Sequence, residues 1–152
     1  EGGGREQQMI HALGDGIARS RSIQHVDLWN LSNEGFATIA RVLGNLTQLE
    51  GFYYYSSRNN DRINDCVTIG TLLESGVWNL KQLSLSRSNI GDTGVVALAN
   101  GLTGIESSLK ELNLSENSIG SEGLSTLVAA LAHCTCLEIL DISGNDFSMA
   151  AA

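Results

Sequence analysis

The chain contains no proline and few aromatic or basic residues. These shortages limit the kinds of structure and partner that the sequence can have. Without proline among 152 residues, nothing marks a rigid linker or breaks a helix, and we expect a single domain over residues 1–152. Nine Lys and Arg stand against seventeen Asp and Glu, a formal net charge of −8 at pH 7. So acidic a chain suits nucleic-acid phosphates poorly. We therefore expect no nucleic acid, and a basic partner is more compatible.

Long apolar runs and paired cysteines are also missing. No apolar stretch approaches the roughly 18–20 residues that span a bilayer, and residues 1–8 lack the basic flank and apolar core of a signal peptide. The three cysteines, Cys66, Cys134 and Cys136, form no CxxC motif and are odd in number, so we interpret them as free thiols. We expect no membrane insertion and an intracellular, cytoplasmic location. Three formal glycosylation sequons stand against that location; they begin at Asn30, Asn45 and Asn113.

What the chain does contain is a tandem repeat. The segment LKQLSLSRSNIGDTGVVALANGL from Leu80 aligns almost without a gap with LKELNLSENSIGSEGLSTLVAAL from Leu109. In each copy the apolar residues first alternate and then recur at helical spacing. One repeat therefore predicts a strand followed by a helix.

The same pattern extends through the chain and predicts five strands and five helices. The strands are expected near residues 23–28, 49–54, 80–85, 109–114 and 137–142. The helical faces show i, i+3, i+7 spacing: Ile10, Leu13, Ile17; Phe36, Ile39, Leu43; Cys66, Ile69, Leu73; Val95, Leu98, Leu102; Leu124, Leu127, Leu131. The first helix, expected over Arg5–Ser20, has no strand before it, and the chain closes at Met149 with no sixth helix. We therefore expect a piece of a longer repeat array.

These repeats resemble the leucine-rich repeat family. The pattern LxxLxLxxNxI is matched by Leu109, Leu112, Leu114, Asn117 and Ile119, and again by Leu137, Leu140, Ile142, Asn145 and Phe147. The period of 28–29 residues and the helical second half resemble the ribonuclease-inhibitor-like subclass, which includes ribonuclease inhibitor, the GTPase-activating protein for Ran and the sensor regions of NOD-like receptors. The resemblance implies an α/β solenoid, a curved right-handed βα superhelix with a parallel sheet on its concave face and helices on its convex face.

The Asn of this pattern is expected to form a structural ladder inside the stack. Its amide can both donate to and accept from backbone groups that the turn leaves unpaired. The candidates, one in each of four units, are Asn30, Ser88, Asn117 and Asn145. In the second unit the position falls on Ser57, at the start of a polar insertion over residues 56–65, so we expect that turn to be the least regular.

The positions between the strand leucines line the concave face, because alternate strand side chains point opposite ways. We predict that this face binds a protein or peptide. Trp29, Tyr53 and Tyr55, beside His25 and Asp27, form an aromatic end typical of binding hot spots; packing against the insertion or a missing unit is the alternative. The other predicted contact residues, a mildly acidic floor suited to a basic segment, are Gln82, Ser84, Arg87, Glu111, Asn113, Glu116 and Asp141.

Catalysis is not predicted. His25 and Asp27 could pair, but the repeat places no nucleophile beside them, and no spacing indicates a metal site. Carboxylates near helix starts, such as Asp92, are better interpreted as N-caps, together with Ser121 and either Ser32 or Asn33. We expect no enzyme activity and no cofactor. Two alternatives to a binding scaffold remain open: a GTPase-regulating module similar to the Ran activator, using Arg87, and a structural spacer or subunit in a larger assembly.

Overall fold

Helices and strands alternate along the whole described chain. The computed structural model describes residues 3–56 and 62–147; half of the predicted insertion, including Ser57, and Met149 lie outside these residues. The elements in chain order are α1 (Gly3–Arg19), β1 (His25–Trp29), α2 (Asn33–Leu43), β2 (Gly51–Tyr55), α3 (Ile63–Glu74), β3 (Gln82–Ser84), α4 (Gly91–Thr103), β4 (Glu111–Asn113), α5 (Ser121–Leu131) and β5 (Ile139–Asp141).

The five described strands form one parallel sheet in the order β1-β2-β3-β4-β5. Each strand therefore pairs with the strand of the next unit, and a helix makes every crossover, as parallel pairing requires. The strands begin about two residues inside the segments expected from the sequence. The reason is that the first leucine of each pattern, Leu49, Leu80 or Leu109, is fully buried in the approach to the strand. The architecture is an α/β solenoid.

The apolar core lies between the sheet and the helices and continues from unit to unit. Leucines of the strands meet the inward helix positions, among them Phe36, Ile39 and Leu43, and each such side chain contributes about 1.5–3 kcal/mol by burial. Trp78 is buried as well: its indole N–H donates a 3.0 Å hydrogen bond to the Leu43 carbonyl oxygen, and its ring centroid lies 5.4 Å from that of Phe52. This second tryptophan is thus a core residue.

Two helix assignments made from the sequence need correction. Leu13, expected on the buried face of α1, is 52% exposed, because α1 packs through Ile10, Gly14 and Ile17 and so turns Leu13 outward. Gly14 lies against Val42 of α2, which makes the contact face i, i+4, i+7.

The second correction concerns the helix N-caps. Ser32 caps α2 as expected, accepting a 3.0 Å hydrogen bond from the Gly35 N–H. Asp92 does not cap its own helix, since α4 begins after Ile90 without a side-chain cap. Its Oδ1 instead accepts a 2.6 Å hydrogen bond from the Gly120 N–H of the following unit. The Asp92 carboxylate therefore joins two neighbouring repeats.

Candidate functional site

The aromatic end of the predicted concave face consists of His25, Trp29, Tyr53 and Tyr55. Trp29 and Tyr55 are direct register partners on β1 and β2, and their ring centroids lie 5.0 Å apart at an interplanar angle of 44°. Such cross-strand aromatic pairs stabilise a sheet and fix both rings. Trp29 nevertheless remains 63% exposed. One side of the indole is held by Tyr55, while much of the rest faces solvent.

Tyr53 links the aromatic end to the middle of the sheet. Its hydroxyl donates a 2.5 Å hydrogen bond to the Gln82 Oε1 on β3, and its ring stacks on His25 with centroids 6.4 Å apart. Burial, followed by the charges of Glu111 and Asp27, raises the pKa of Tyr53. The phenol therefore stays protonated and keeps its donor at neutral pH.

Gly51 makes room for this arrangement. It lies beside His25 in the β1–β2 register, and a Cβ built on it would sit only 2.3 Å from the His25 Nδ1 and 3.0 Å from the Tyr53 Cε2. The missing side chain lets the imidazole lean across β2 towards Tyr53. The sequence allows a pairing of His25 with Asp27. In the structure the His25 imidazole packs on the Tyr53 ring.

The middle and far end of the face form a shallow depression. It has a volume of about 380 Å³ and is lined by Tyr53, Gln82, Leu83, Ser84, Glu111, Leu112, Asn113, Ile139 and Asp141. The register brings the polar residues of this set together. Gln82 on β3 lies beside Glu111 on β4. One row further along, Ser84, Asn113 and Asp141 lie side by side on β3, β4 and β5. Gln82, Ser84, Glu111, Asn113 and Asp141 of the predicted floor thus line one depression.

Asp141 is held as a carboxylate within this depression. Its Oδ1 accepts hydrogen bonds from the Ser143 hydroxyl at 2.7 Å and the Ser143 N–H at 3.0 Å. These bonds, the hydroxyl first, lower the pKa of Asp141. Asn113 repeats the turn one unit earlier, accepting from the hydroxyl and N–H of Ser115. Both side chains are therefore fixed by their own turns.

Arg87 and Glu116 lie on the margin of the face, after β3 and β4. They form a 2.8 Å ion pair in which both side chains are exposed, and the hydrogen bond and charge of Glu116 raise the pKa of Arg87. Both residues have positive φ, 51° and 53°, in the left-handed region that few non-glycine residues adopt. A tight turn thus places each side chain at the margin of the face, where the opposite charges of Arg87 and Glu116 neutralise each other.

The candidate ladder residues occupy two different positions. Asn117 donates from Nδ2 to the Leu85 and Ser115 carbonyl oxygens and accepts at Oδ1 from the Ser88 N–H. Asn145 repeats this one unit later, donating to Leu114 and accepting from Asn117.

Ser88 and Asn30 differ from these two asparagines. The Ser88 hydroxyl reaches the Tyr54 carbonyl oxygen at 3.2 Å, which fulfils only the donor half of the role. By register Asn30 corresponds to Arg87, one residue before the ladder position, and it shares that residue's positive φ, 51°. Leu31 stands where the ladder residue would be, because the first turn is short.

Arg62 is a structural residue that the sequence reasoning missed. It is almost completely buried, and its guanidinium donates to the Asn33 Oδ1 at 2.7 Å, to the Leu31 carbonyl oxygen at 3.3 Å and to the Asp65 carboxylate at 2.9 Å. Tyr54 donates a 2.5 Å hydrogen bond to the same carboxylate. The second unit, which has the long insertion, is therefore tied to the first by an arginine. The available signal was a basic residue directly before the apolar start of α3.

Among residues 3–56 and 62–147, few side-chain groups are arranged for catalysis or metal binding. No group of three His, Cys, Asp or Glu side chains there could hold a metal ion. In the same part of the chain no helix is long and apolar enough to cross a membrane. Cys66, Cys134 and Cys136 form no disulfide, and Cys136 is the exposed one of the three. The arrangement offers rings, carboxylates and amides on an open sheet, which suits binding.

Comparison with known proteins relates part of the chain to a known family. A family model described as Leucine Rich repeat matches residues 79–99, 107–128 and 133–148, the part of the chain that contains β3, β4 and β5. These three segments are similar to the leucine-rich repeat family, and the first two units repeat the same strand and helix order. Leucine-rich repeat domains commonly mediate protein–protein interactions and are generally non-catalytic. No curated protein matches the chain.

Proposed function

We propose that this chain is a non-catalytic scaffold that binds a protein or peptide partner on its concave face. The observation that carries the proposal is Trp29, 63% exposed although its ring rests on Tyr55. A large ring that is already fixed loses little rotamer freedom when a partner covers it, so most of its burial energy is available for binding. Tryptophan and tyrosine are the residues most enriched at binding hot spots.

The neighbouring surface supports the same role. The depression of about 380 Å³ begins at Tyr53 and runs to β5, so the aromatic end and the polar floor are contiguous. Their side chains are fixed by partners within the sheet, Tyr53 by Gln82 and Asp141 by Ser143. A preorganised surface of this kind reduces the ordering cost of association.

A random dodecapeptide library displayed on phage tests the proposal. Binders are selected on the immobilised chain and then measured against Trp29→Ala and against Val128→Ala, a convex-face control that is also exposed, at 61%. We expect Trp29→Ala to weaken binding by more than about 1 kcal/mol, roughly fivefold, with unchanged circular dichroism. Failure to select any binder, or equal binding to both variants, would contradict the proposal and favour the spacer role.

The GTPase-regulating alternative depends on Arg87. The Arg87 guanidinium forms an ion pair with Glu116. A contact between this guanidinium and a GTPase would require that ion pair to break. We therefore expect the chain not to accelerate GTP hydrolysis by a Ran-type GTPase. An increase that disappears in Arg87→Ala would establish the alternative instead.

We further propose membership of the ribonuclease-inhibitor-like subclass and an intracellular, cytoplasmic location. An α-helix of 11–13 residues follows each of the first four strands, which supports the subclass. Three cysteines that form no disulfide, two of them buried, support a reducing compartment. Mass spectrometry of the protein from its native cells should find three thiols and no glycan on Asn45, whose turn is exposed; a glycan there would contradict the location.

A further inference from the structure

The concave face carries more negative charge than its own cations neutralise. Its described columns hold four carboxylates, on Asp27, Glu111, Glu116 and Asp141, and one guanidinium, on Arg87. That guanidinium is already paired with Glu116. Within the described chain no Lys or Arg lies within ion-pair distance of the other three carboxylates.

The lysines nearest to this face are also engaged. Lys81 and Lys110 stand at its margin, before β3 and β4, and pair with Glu50 at 2.8 Å and with Glu138 at 3.0 Å. Both lysines border a hollow that Glu111 also lines, but each is paired with a carboxylate outside the depression. Its carboxylates remain available to a cation from outside, and Asp141 stays ionised because Ser143 lowers its pKa.

We propose that the partner of this face is an extended cationic segment, with an apolar or aromatic side chain against Trp29 and Tyr55 and a Lys or Arg side chain in the depression between Glu111 and Asp141. The inference rests on the proposed function and adds the chemistry of the partner. Complementary charge fixes orientation and excludes acidic competitors. The exposed indole also offers its face to a cation.

Strand geometry gives the spacing of the two anchors. The β1–β2 pair and the β4–β5 pair are three strand intervals apart, which is about 14 Å at about 4.8 Å per interval. An extended peptide covers that distance in about four residues. Glu111 is in register with His25, four residues along the strand from Trp29, so the diagonal from Trp29 to Glu111 is roughly 19 Å and takes about six residues. The segment should therefore carry its apolar and basic anchors about four to six residues apart, crossing the strands.

The dodecapeptide library selected on the whole chain also tests this inference. The double variant Glu111→Gln, Asp141→Asn removes both charges and retains the side-chain oxygens, including the acceptor for Ser143. Glu74→Gln, on the exposed end of α3, is the matched charge control. Binders should be enriched in Lys or Arg about four to six residues from a Trp, Phe, Tyr or Leu.

These binders should lose at least about fivefold in affinity for the double variant and little for Glu74→Gln. The loss should shrink at 0.5 M NaCl, where charges are screened. Neutral or acidic binders that depend on Trp29 but not on the two carboxylates would overturn the cationic segment and leave the proposed function standing. Binders indifferent to Trp29 and to both carboxylates, or no binders at all, would overturn both.

Discussion

Asn117 donates a 2.7 Å hydrogen bond from Nδ2 to the carbonyl oxygen of Leu85, one repeat earlier in the chain. Its Oδ1 accepts from the Ser88 N–H at 2.8 Å, and the side chain is completely buried. A buried amide with partners in the preceding unit joins the two repeats where their turns would otherwise leave backbone groups unpaired.

Replacing Asn117 with Ala should therefore lower the free energy of unfolding by about 2–4 kcal/mol, since buried donors and acceptors lose their partners at about 1–3 kcal/mol each. Urea denaturation checks the value. Asn100→Ala, on the exposed side of α4, is the control and should stay within about 0.5 kcal/mol of the parent. Equal effects of the two changes would show that the ladder carries no stability.

Gly101 lies at a close approach of α3 and α4. A Cβ there would lie 2.5 Å from the Gly70 carbonyl oxygen and 2.8 Å from its Cα, and backbone cannot move aside as a flexible side chain can. Gly101→Ala should destabilise the protein by about 1–3 kcal/mol.

Gly16→Ala is the matched control for this change, because a Cβ on Gly16 of α1 meets nothing within 4 Å. That substitution should be neutral or stabilising by up to about 1 kcal/mol through helix propensity. Thermal unfolding of both variants gives the comparison. A Gly101→Ala protein as stable as the Gly16→Ala protein would contradict the close helix packing.

Tyr54 should make the protein sensitive to alkali. Burial, followed by its hydrogen bond to Asp65, raises the pKa of Tyr54 above the usual value. The folded state therefore holds this proton more tightly than the unfolded chain, whose tyrosines titrate near pH 10. The associated stability is fully present below about pH 10 and is lost as the pH rises above it.

Urea titrations at pH 8 to 11 measure this dependence. Tyr54→Phe should be less stable at pH 8 by about 1–2 kcal/mol, because Asp65 loses a donor, but should lose less stability between pH 9 and 11 than the parent does. Parallel pH profiles for the two proteins would contradict the assignment.

The thiols should react in two classes. Cys136 is exposed, whereas Cys66 and Cys134 are buried, and burial raises the pKa of the Cys134 thiol, which lowers its thiolate fraction. A chromogenic disulfide reagent should label one thiol quickly in the native protein and three in denaturant. Cys136→Ser should abolish the fast class, and a fast class that persists in this variant would place the reactive thiol elsewhere.

The sequence predicts regular parts of this molecule well because the repeat determines them. Leu80, Leu83 and Leu85 recur as Leu109, Leu112 and Leu114, and the period change within each unit predicts strand and helix together. Side chains that respond to neighbouring units were harder to predict. Leu13 was misplaced because the rotation of α1 depends on Gly14 meeting Val42, a contact between helices that no local pattern records.

The same reason explains what was missed around the site. Arg62 reaches back to Asn33 and Leu31, about thirty residues earlier, from a position outside the repeat pattern. Asp92 sits where an N-cap is expected but bonds to the next unit. The aromatic cluster could be found because strand alternation alone places Trp29, Tyr53 and Tyr55 on one face. Its role in binding a partner stays a prediction.

The most direct test of the concave-face account is acrylamide quenching of tryptophan fluorescence, with and without the tightest peptide from the library that contains no Trp. Trp29 is exposed and Trp78 is buried, so quenching of the free protein reports mainly on Trp29, and a Trp29→Phe variant gives the buried baseline. The account predicts that saturating peptide lowers quenching of the parent nearly to that baseline. Quenching that stays at the level of the free protein while the peptide is bound would contradict it.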